Sequence, residues 1–227
     1  MSEIGKFVWY DLMVPDPAAA IAWYGEVIGW KSQQYEGPSD PNKPPYTMIC
    51  AGDQPIGGIM ELAEDAKAMG APPHWLAYVC VEDVDATTKR VAEIGGTVYV
   101  PGMDVPSIGR FSVFADPTGA VIAAFTPTSQ TPSRAGDPGP GDVTWHELMS
   151  TDPEAAWKFY AALFGWDKTE AMDMGPMGTY QMYGQSGASY GGIMKTPEGV
   201  PSHWIYYAMV SGSAEAACAR ITSRGGE

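Results

Sequence analysis

Two short runs place chemically capable side chains at matching spacing. Trp9-Tyr10-Asp11-Leu12-Met13 and Trp145-His146-Glu147-Leu148-Met149 each set an indole, a carboxylate and a thioether at every second residue. Each is followed by a second pair, His74 with Tyr78 and His203 with Tyr207. Side chains alternate across a β-strand, so residues an even number apart share a face. If Trp9 faces a pocket, so do Asp11 and Met13, while Val8, Tyr10 and Leu12 lie on the other side. An imidazole of ordinary pKa beside a carboxylate can act as a general base, which makes Asp11 and His74 the candidate catalytic residues. The plainer readings stand beside this one. His74 and His203 follow proline-rich turns and can be rings bonded to backbone, and Asp11 and Glu147 can be structurally paired carboxylates. His146 has the opposite parity and is read as structural. Glu61 is either a pocket acid or a solvated strand end. The candidate ligand-binding set is therefore Trp9, Asp11, Met13, Glu61, His74, Tyr78, Trp145, Glu147, Met149, His203 and Tyr207. An aromatic-rich cleft with a few polar groups suits a flat or amphipathic small molecule.

The elements that must position these groups come from a duplication. Residues 7–30 (FVWYDLMVPDPAAAIAWYGEVIGW) and 143–166 (VTWHELMSTDPEAAWKFYAALFGW) align without a gap and are identical at 10 of 24 positions. IGGIM (56–60) then matches YGGIM (190–194), and PPHWLAYV (72–79) matches PSHWIYYA (201–208). Order and spacing hold, as a duplication requires. The Pro-, Gly- and Ser-rich run at 126–142 reads as a linker, giving domains 1–126 and 143–227 joined by 127–142. In each copy an alternating strand leads into a helix whose N-cap and first-turn proline are Asp16-Pro17 or Asp152-Pro153, with Gly29 or Gly165 at its end. Short strands are expected around 31–36, 46–51 and 55–61. HWLAYVCV restarts the cycle, followed by a helix from about 84 to 94 and strands near 97–101, 110–115 and 120–125, with a DPTG turn at 116–119. The expected class is α+β, built from βαβββ units. After HWIYYAMV and a helix ending at Gly225-Gly226, no counterparts of the strands at 97–125 follow. The sheet is expected to be completed by a longer natural chain or by a partner chain.

Composition narrows the partners. The 227 residues include 13 Lys+Arg against 27 Asp+Glu, a formal net charge of −14. Such a surface repels phosphate backbones and anionic membranes, so neither nucleic acid nor membrane is an expected partner. The N-terminal run has no apolar stretch behind a basic flank, and a cytoplasmic protein is expected. Cys50, Cys80 and Cys218 form no C-x-x-C pair, which argues against a disulfide framework and a structural zinc site. The clusters GGI and QSGASYGG precede no helix and are read as turns and bulges, not a nucleotide loop.

The run DPAAAIAWYGEVIGW resembles the signature that opens modules of the vicinal oxygen chelate superfamily, which includes glyoxalase I, extradiol dioxygenases and bleomycin-resistance proteins. VEDVDATTKRVAEIGG followed by FADPTGAVIAAF resembles the second half of the same unit. The chain is most similar to tandem-domain, glyoxalase-like members. The resemblance implies paired βαβββ modules forming curved sheets around a concave pocket, duplicated in tandem. It also implies four metal-ligand positions, which fall here on Trp9, Glu61, Leu76 and Ala123, and in the second copy on Trp145, Lys195 and Ile205. Only Glu61 could serve, so no cofactor is expected. Three functions follow. The first is binding of a small organic molecule, with or without chemistry, in aromatic clefts without metal. The second is a metal-dependent lyase or dioxygenase with displaced ligands Asp11, Glu61 and His74. The third is a non-catalytic binding, resistance or assembly protein. Either a two-domain monomer or a homodimer fits the resemblance.

Overall fold

A computed structural model describes residues 3–37, 45–68, 70–128 and 137–226. The first copy of the repeat runs β1 (Phe7–Val14), α1 (Pro17–Val27), β2 (Lys31–Gln34), β3 (Thr47–Ala51), β4 (Gln54–Glu61) and the short α2 (Glu64–Ala68). Its second module follows as β5 (His74–Cys80), α3 (Val84–Glu93), β6 (Thr97–Val105), β7 (Gly109–Ala115) and β8 (Val121–Pro127). The second copy gives β9 (Val143–Ser150), α4 (Pro153–Phe164), β10 (Asp167–Asp173), β11 (Thr179–Gln185), β12 (Ala188–Lys195), β13 (His203–Ala208) and α5 (Ala214–Ser223). This is the expected α+β architecture of repeated strand–helix–strand modules. The α2 turn was not foreseen, and the centre of the expected linker, 129–136, lies outside the described residues.

Local chemistry explains the helix starts. Asp16 accepts the Ala19 N–H at 3.0 Å and Asp152 the Ala155 N–H at 3.1 Å, with a proline in the first turn of each helix. Each such cap is worth about 1 kcal/mol. Helix α4 stops at Gly165, whose φ of 68° is the left-handed conformation that glycine adopts without penalty.

The chain divides into two compact units, each built from segments of both repeats. One comprises Met1–Val8, Ala77–Ser133 and Thr144–Tyr207, the other Trp9–Leu76, Arg134–Val143 and Ala208–Glu227. The first unit carries strands in the orders β5-β8-β7-β6 and β10-β11-β12-β9-β13. Its core is one cluster to which both modules contribute: Val79, Val91, Phe114 and Ile122 from one, Leu148, Phe159, Tyr160, Trp166 and Tyr183 from the other. Trp166 stacks on Tyr183 at 4.5 Å and on Tyr160 at 5.7 Å. The second unit carries β2-β3-β4-β1 around Leu12, Trp30, Ile49 and Ile59, with Tyr24 and Trp75 against them.

Within these units the Gly-Trp ends of the two repeats make equivalent bonds. Trp166 Nε1 donates to the Gly5 carbonyl at 2.7 Å in the first unit, and Trp30 Nε1 donates to the Gly141 carbonyl at 2.7 Å in the second. Gly5 and Gly141 each stand two residues before the leading strand of their repeat.

The glycine clusters form the expected turn and bulges, with register shifts at Ile56 and Tyr190, and their pairs have a further role. Ser186 (φ 55°) and Gly187 (φ 85°) do form a turn, but Gly57-Gly58 and Gly191-Gly192 lie inside β4 and β12. They are there for space. A Cβ at Gly57 would overlap the Tyr10 carbonyl oxygen on the parallel neighbour, and one at Gly191 that of His146. A Cβ at Gly58 or Gly192 would overlap the ring of Tyr46 or Tyr180. Among the described residues, no helix is long and apolar enough to cross a membrane.

Candidate functional site

The candidate side chains meet because register places them on one face of three neighbouring strands. Asp11 on β1 stands beside Gly58 on β4, and Met13 beside Met60; Met48 on β3 flanks Gly58 from the other side. The second copy repeats this pattern: Glu147 beside Gly192, Met149 beside Met194, and Met182 beside Gly192. With no side chain at the central glycine, a tyrosine ring lies across β4 or β12 and reaches the carboxylate beyond it. Tyr46 donates its hydroxyl proton to Asp11 Oδ1 at 2.7 Å, and Tyr180 donates to Glu147 Oε2 at 2.8 Å. The tryptophan closes the chain of bonds. Trp9 Nε1 donates to Tyr46 Oη at 2.7 Å and to Asp11 Oδ1 at 3.0 Å, and Trp145 Nε1 donates to Tyr180 Oη at 2.7 Å. In the second copy Tyr207 adds a donor to Glu147 Oε1 at 3.2 Å.

The electrostatics of this arrangement keep the phenols protonated. Burial, reinforced by the neighbouring carboxylate, pushes Tyr46 and Tyr180 well above the ordinary phenol range, and burial followed by Glu147 raises Tyr207. Their O–H protons are therefore committed to Asp11 and Glu147 at all physiological pH. Around each chain lie three half-buried methionines, Met13, Met48 and Met60 or Met149, Met182 and Met194, a polarizable and adaptable apolar floor.

Tyr46 and Tyr180 are absent from the sequence-derived set, yet a signal was present. Each opens a Tyr-x-Met run ten residues before the residue that precedes GGIM, Ile56 or Tyr190, so the repeat extends through β3 and β11.

The other candidates divide. His74 Nδ1 lies 2.7 Å from the Pro72 carbonyl and His203 Nδ1 lies 2.8 Å from that of Pro201. A carbonyl only accepts, so both rings carry their proton on Nδ1 and anchor the turn before the strand. Asp11 Oδ1 is held by Trp9 and Tyr46. Glu61 sits at the end of β4 and takes Lys67 Nζ at 3.1 Å, as a solvated strand end would. Tyr78 is half-buried, edge-on to Phe111 at 6.0 Å. His146 is buried, as its parity demands, stacked on Phe7 at 3.7 Å with Nδ1 2.8 Å from the Tyr190 carbonyl. Burial pulls its pKa down to about 4. Two clefts of about 260 and 410 Å³ lie elsewhere in the first unit, and neither is lined by Trp145 or Glu147. The larger borders Trp157, Ile193 and Lys195, on the helix side of β12.

The metal positions implied by the resemblance do not fit an ion. An indole N–H is a donor only, and Leu76 and Ala123 are buried hydrocarbons. In the second copy Lys195 is a cation that donates to the Thr151 carbonyl at 2.7 Å. Among the described residues no three His, Cys, Asp or Glu side chains are grouped to hold a metal. Asp11, Glu61 and His74 do not come together as a group, so the displaced ligand set is not assembled.

Comparison with known proteins agrees with this architecture. The family model of the Glyoxalase/Bleomycin resistance protein/Dioxygenase superfamily matches residues 6–124. The protein CFP32 of Mycobacterium tuberculosis (strain CDC 1551 / Oshkosh), whose name includes the word glyoxylase, is 30% identical over 220 residues, covering 96% of this chain and 82% of its own length. The anthracycline biosynthesis protein DnrV of Streptomyces peucetius is 33% identical over 171 residues, covering 71% of this chain and 61% of its own. Among solved structures, a Mn(II)-bound glyoxalase from Novosphingobium aromaticivorans has a TM-score of 0.66 at 16% identity, covering 99% of this chain and 72% of that one. The 2,2',3-trihydroxybiphenyl 1,2-dioxygenase of Sphingomonas wittichii strain RW1 has a TM-score of 0.63 at 13% identity, covering 99% and 79%. At these identities the structural likeness is one of fold.

Proposed function

The chain belongs to the Glyoxalase/Bleomycin resistance protein/Dioxygenase superfamily, and we propose that within it this protein binds a small organic molecule on two aromatic, methionine-lined faces without a metal ion. The observation that carries this reading is the Trp–Tyr–carboxylate chain of hydrogen bonds, built twice at the same strand register. Taking a carboxylate, a phenol and an indole N–H partly out of water costs stability that apolar residues in the same places would not. The same costly set, held in place by a glycine in each copy, is what a preorganised ligand face requires. The names of CFP32 and DnrV, which refer to glyoxylase and to anthracycline biosynthesis, support a small organic ligand. Half-buried Glu147 is the acceptor such a ligand would meet, with Trp9 and Trp145 its aromatic walls, while Asp11 is buried beneath Trp9 and Tyr46 and holds them in place.

Titration of intrinsic tryptophan fluorescence with a panel of flat aromatic compounds tests the proposal. A bound compound should show two sites per chain, and Trp9→Ala and Trp145→Ala should each remove one of them. Binding that is unchanged in both variants, for every compound that binds, would refute the aromatic-face reading. Elemental analysis of untagged protein checks the rest: a near-stoichiometric transition metal would refute binding without metal.

A further inference from the structure

Among the described residues Glu147 has no counter-charge. It is partly buried on β9, and among the described residues it forms no ion pair with a lysine or arginine; the donors that reach its oxygens are the neutral phenols of Tyr180 and Tyr207, at 2.8 and 3.2 Å. A carboxylate withdrawn from water is stabilised only in part by neutral donors, and a cation at that point would complete the compensation. The rings around it are also unusual for this protein. In the core, Tyr160, Trp166 and Tyr183 pack ring against ring. Trp145, Tyr180 and Tyr207, by contrast, are tied tip to tip through polar atoms, and among the described residues none of them stacks on another ring. Tyr180 is buried over Gly192, but Trp145 is half-buried and Tyr207 exposed, and the open faces of these two rings attract cations.

Resting on the binding reading above, we infer that the ligand of this face is an organic ammonium, a protonated or alkylated amine carried on a flat apolar body. The charged nitrogen sits between Glu147 and the rings of Trp145 and Tyr207, and the apolar body covers the adjacent methionines. In the first copy the corresponding Asp11 is buried beneath Trp9 and Tyr46, and the inference is confined to the face at Glu147. A net charge of −14 draws cations toward the protein and repels anionic analogues.

Isothermal titration of the intact chain with naphthylmethylamine and with naphthylmethanol, a neutral match of the same shape, tests this. The amine is expected to bind about tenfold tighter or better, with a preference that shrinks as salt is added. The isosteric Glu147→Gln should abolish the preference, weakening the amine at least about tenfold more than the alcohol. Equal affinities for amine and alcohol in the unaltered protein would overturn the ammonium inference while the aromatic-face reading stands. Failure of both compounds to bind to protein with an intact circular dichroism spectrum would overturn the reading itself and the inference with it. A preference that survives in Glu147→Gln would overturn the assignment to this carboxylate.

Discussion

At Gly58 and Gly192 a hydrogen atom stands where any other residue would hold a side chain, and the ring of Tyr46 or Tyr180 fills that space. The two glycines thereby decide where a hydroxyl on a third strand can reach. Gly192→Ala should force the Tyr180 ring away, breaking its bonds with Glu147 and Trp145 together. A loss of about 1–3 kcal/mol in denaturant unfolding is expected from overpacking of this kind. Ligand binding at the second copy should disappear while the first copy keeps its site. Gly191→Ala would be harsher in another way, since its Cβ meets a backbone carbonyl that cannot rotate aside. Retention of full stability and of both sites in Gly192→Ala would show that the ring does not depend on the opening beneath it.

Strand β9 carries two different chemistries on its two sides, and acid should separate them. Trp145, Glu147 and Met149 lie on one face, His146 and the core residue Leu148 on the other. The folded state holds His146 neutral down to about pH 4, whereas an unfolded chain protonates it near the ordinary value of 6.5. The unfolded state thus binds more protons between these limits, so stability is complete above about pH 6.5 and declines as the pH falls toward 4. Roughly 2 kcal/mol should be lost by pH 5 through this group. His146→Phe should flatten that part of the pH dependence of urea unfolding, and an unchanged slope would contradict the assignment. Such faces were legible from alternation alone: Tyr10, Leu12, His146 and Leu148 are buried where period-two parity puts them. The Asp-Pro starts of α1 and α4 were equally plain, because capping is local chemistry. The glycine pairs are legible as bulges but not as openings, for the opposite reason. Their role is set by a carbonyl or a ring on neighbouring strands, and nothing adjacent in sequence announces it. Tyr46 and Tyr180 escaped notice likewise, since their function exists only once β3 or β11 lies beside β4 or β12.

For the molecule as a whole, the repeat in the sequence and the compact units in space do not share boundaries. Each unit takes segments from both repeats. In the first, Phe7 from the leading strand packs against the cluster holding Leu148 and Trp166, and Gly5 accepts the Trp166 indole. In the second, Gly141 accepts the Trp30 indole, and Gly141 and Asp142 exchange backbone bonds with Met209 at 2.8 Å. Neither repeat alone contains all the partners that its own Gly-Trp indole or leading strand requires. The molecule is therefore a natural candidate for fragment complementation. A protease cut between residues 128 and 137 severs the only covalent tie between two halves, each of which still holds strands and indoles the other needs. The nicked protein should elute as one species and melt as one, whereas the halves made separately should be poorly folded until mixed. Dissociation of the nicked halves in native buffer would show that the exchanged segments contribute little. If they stay together, the duplication has done more than double a binding face: it has made two copies of one ancestral segment into obligate halves of a single fold.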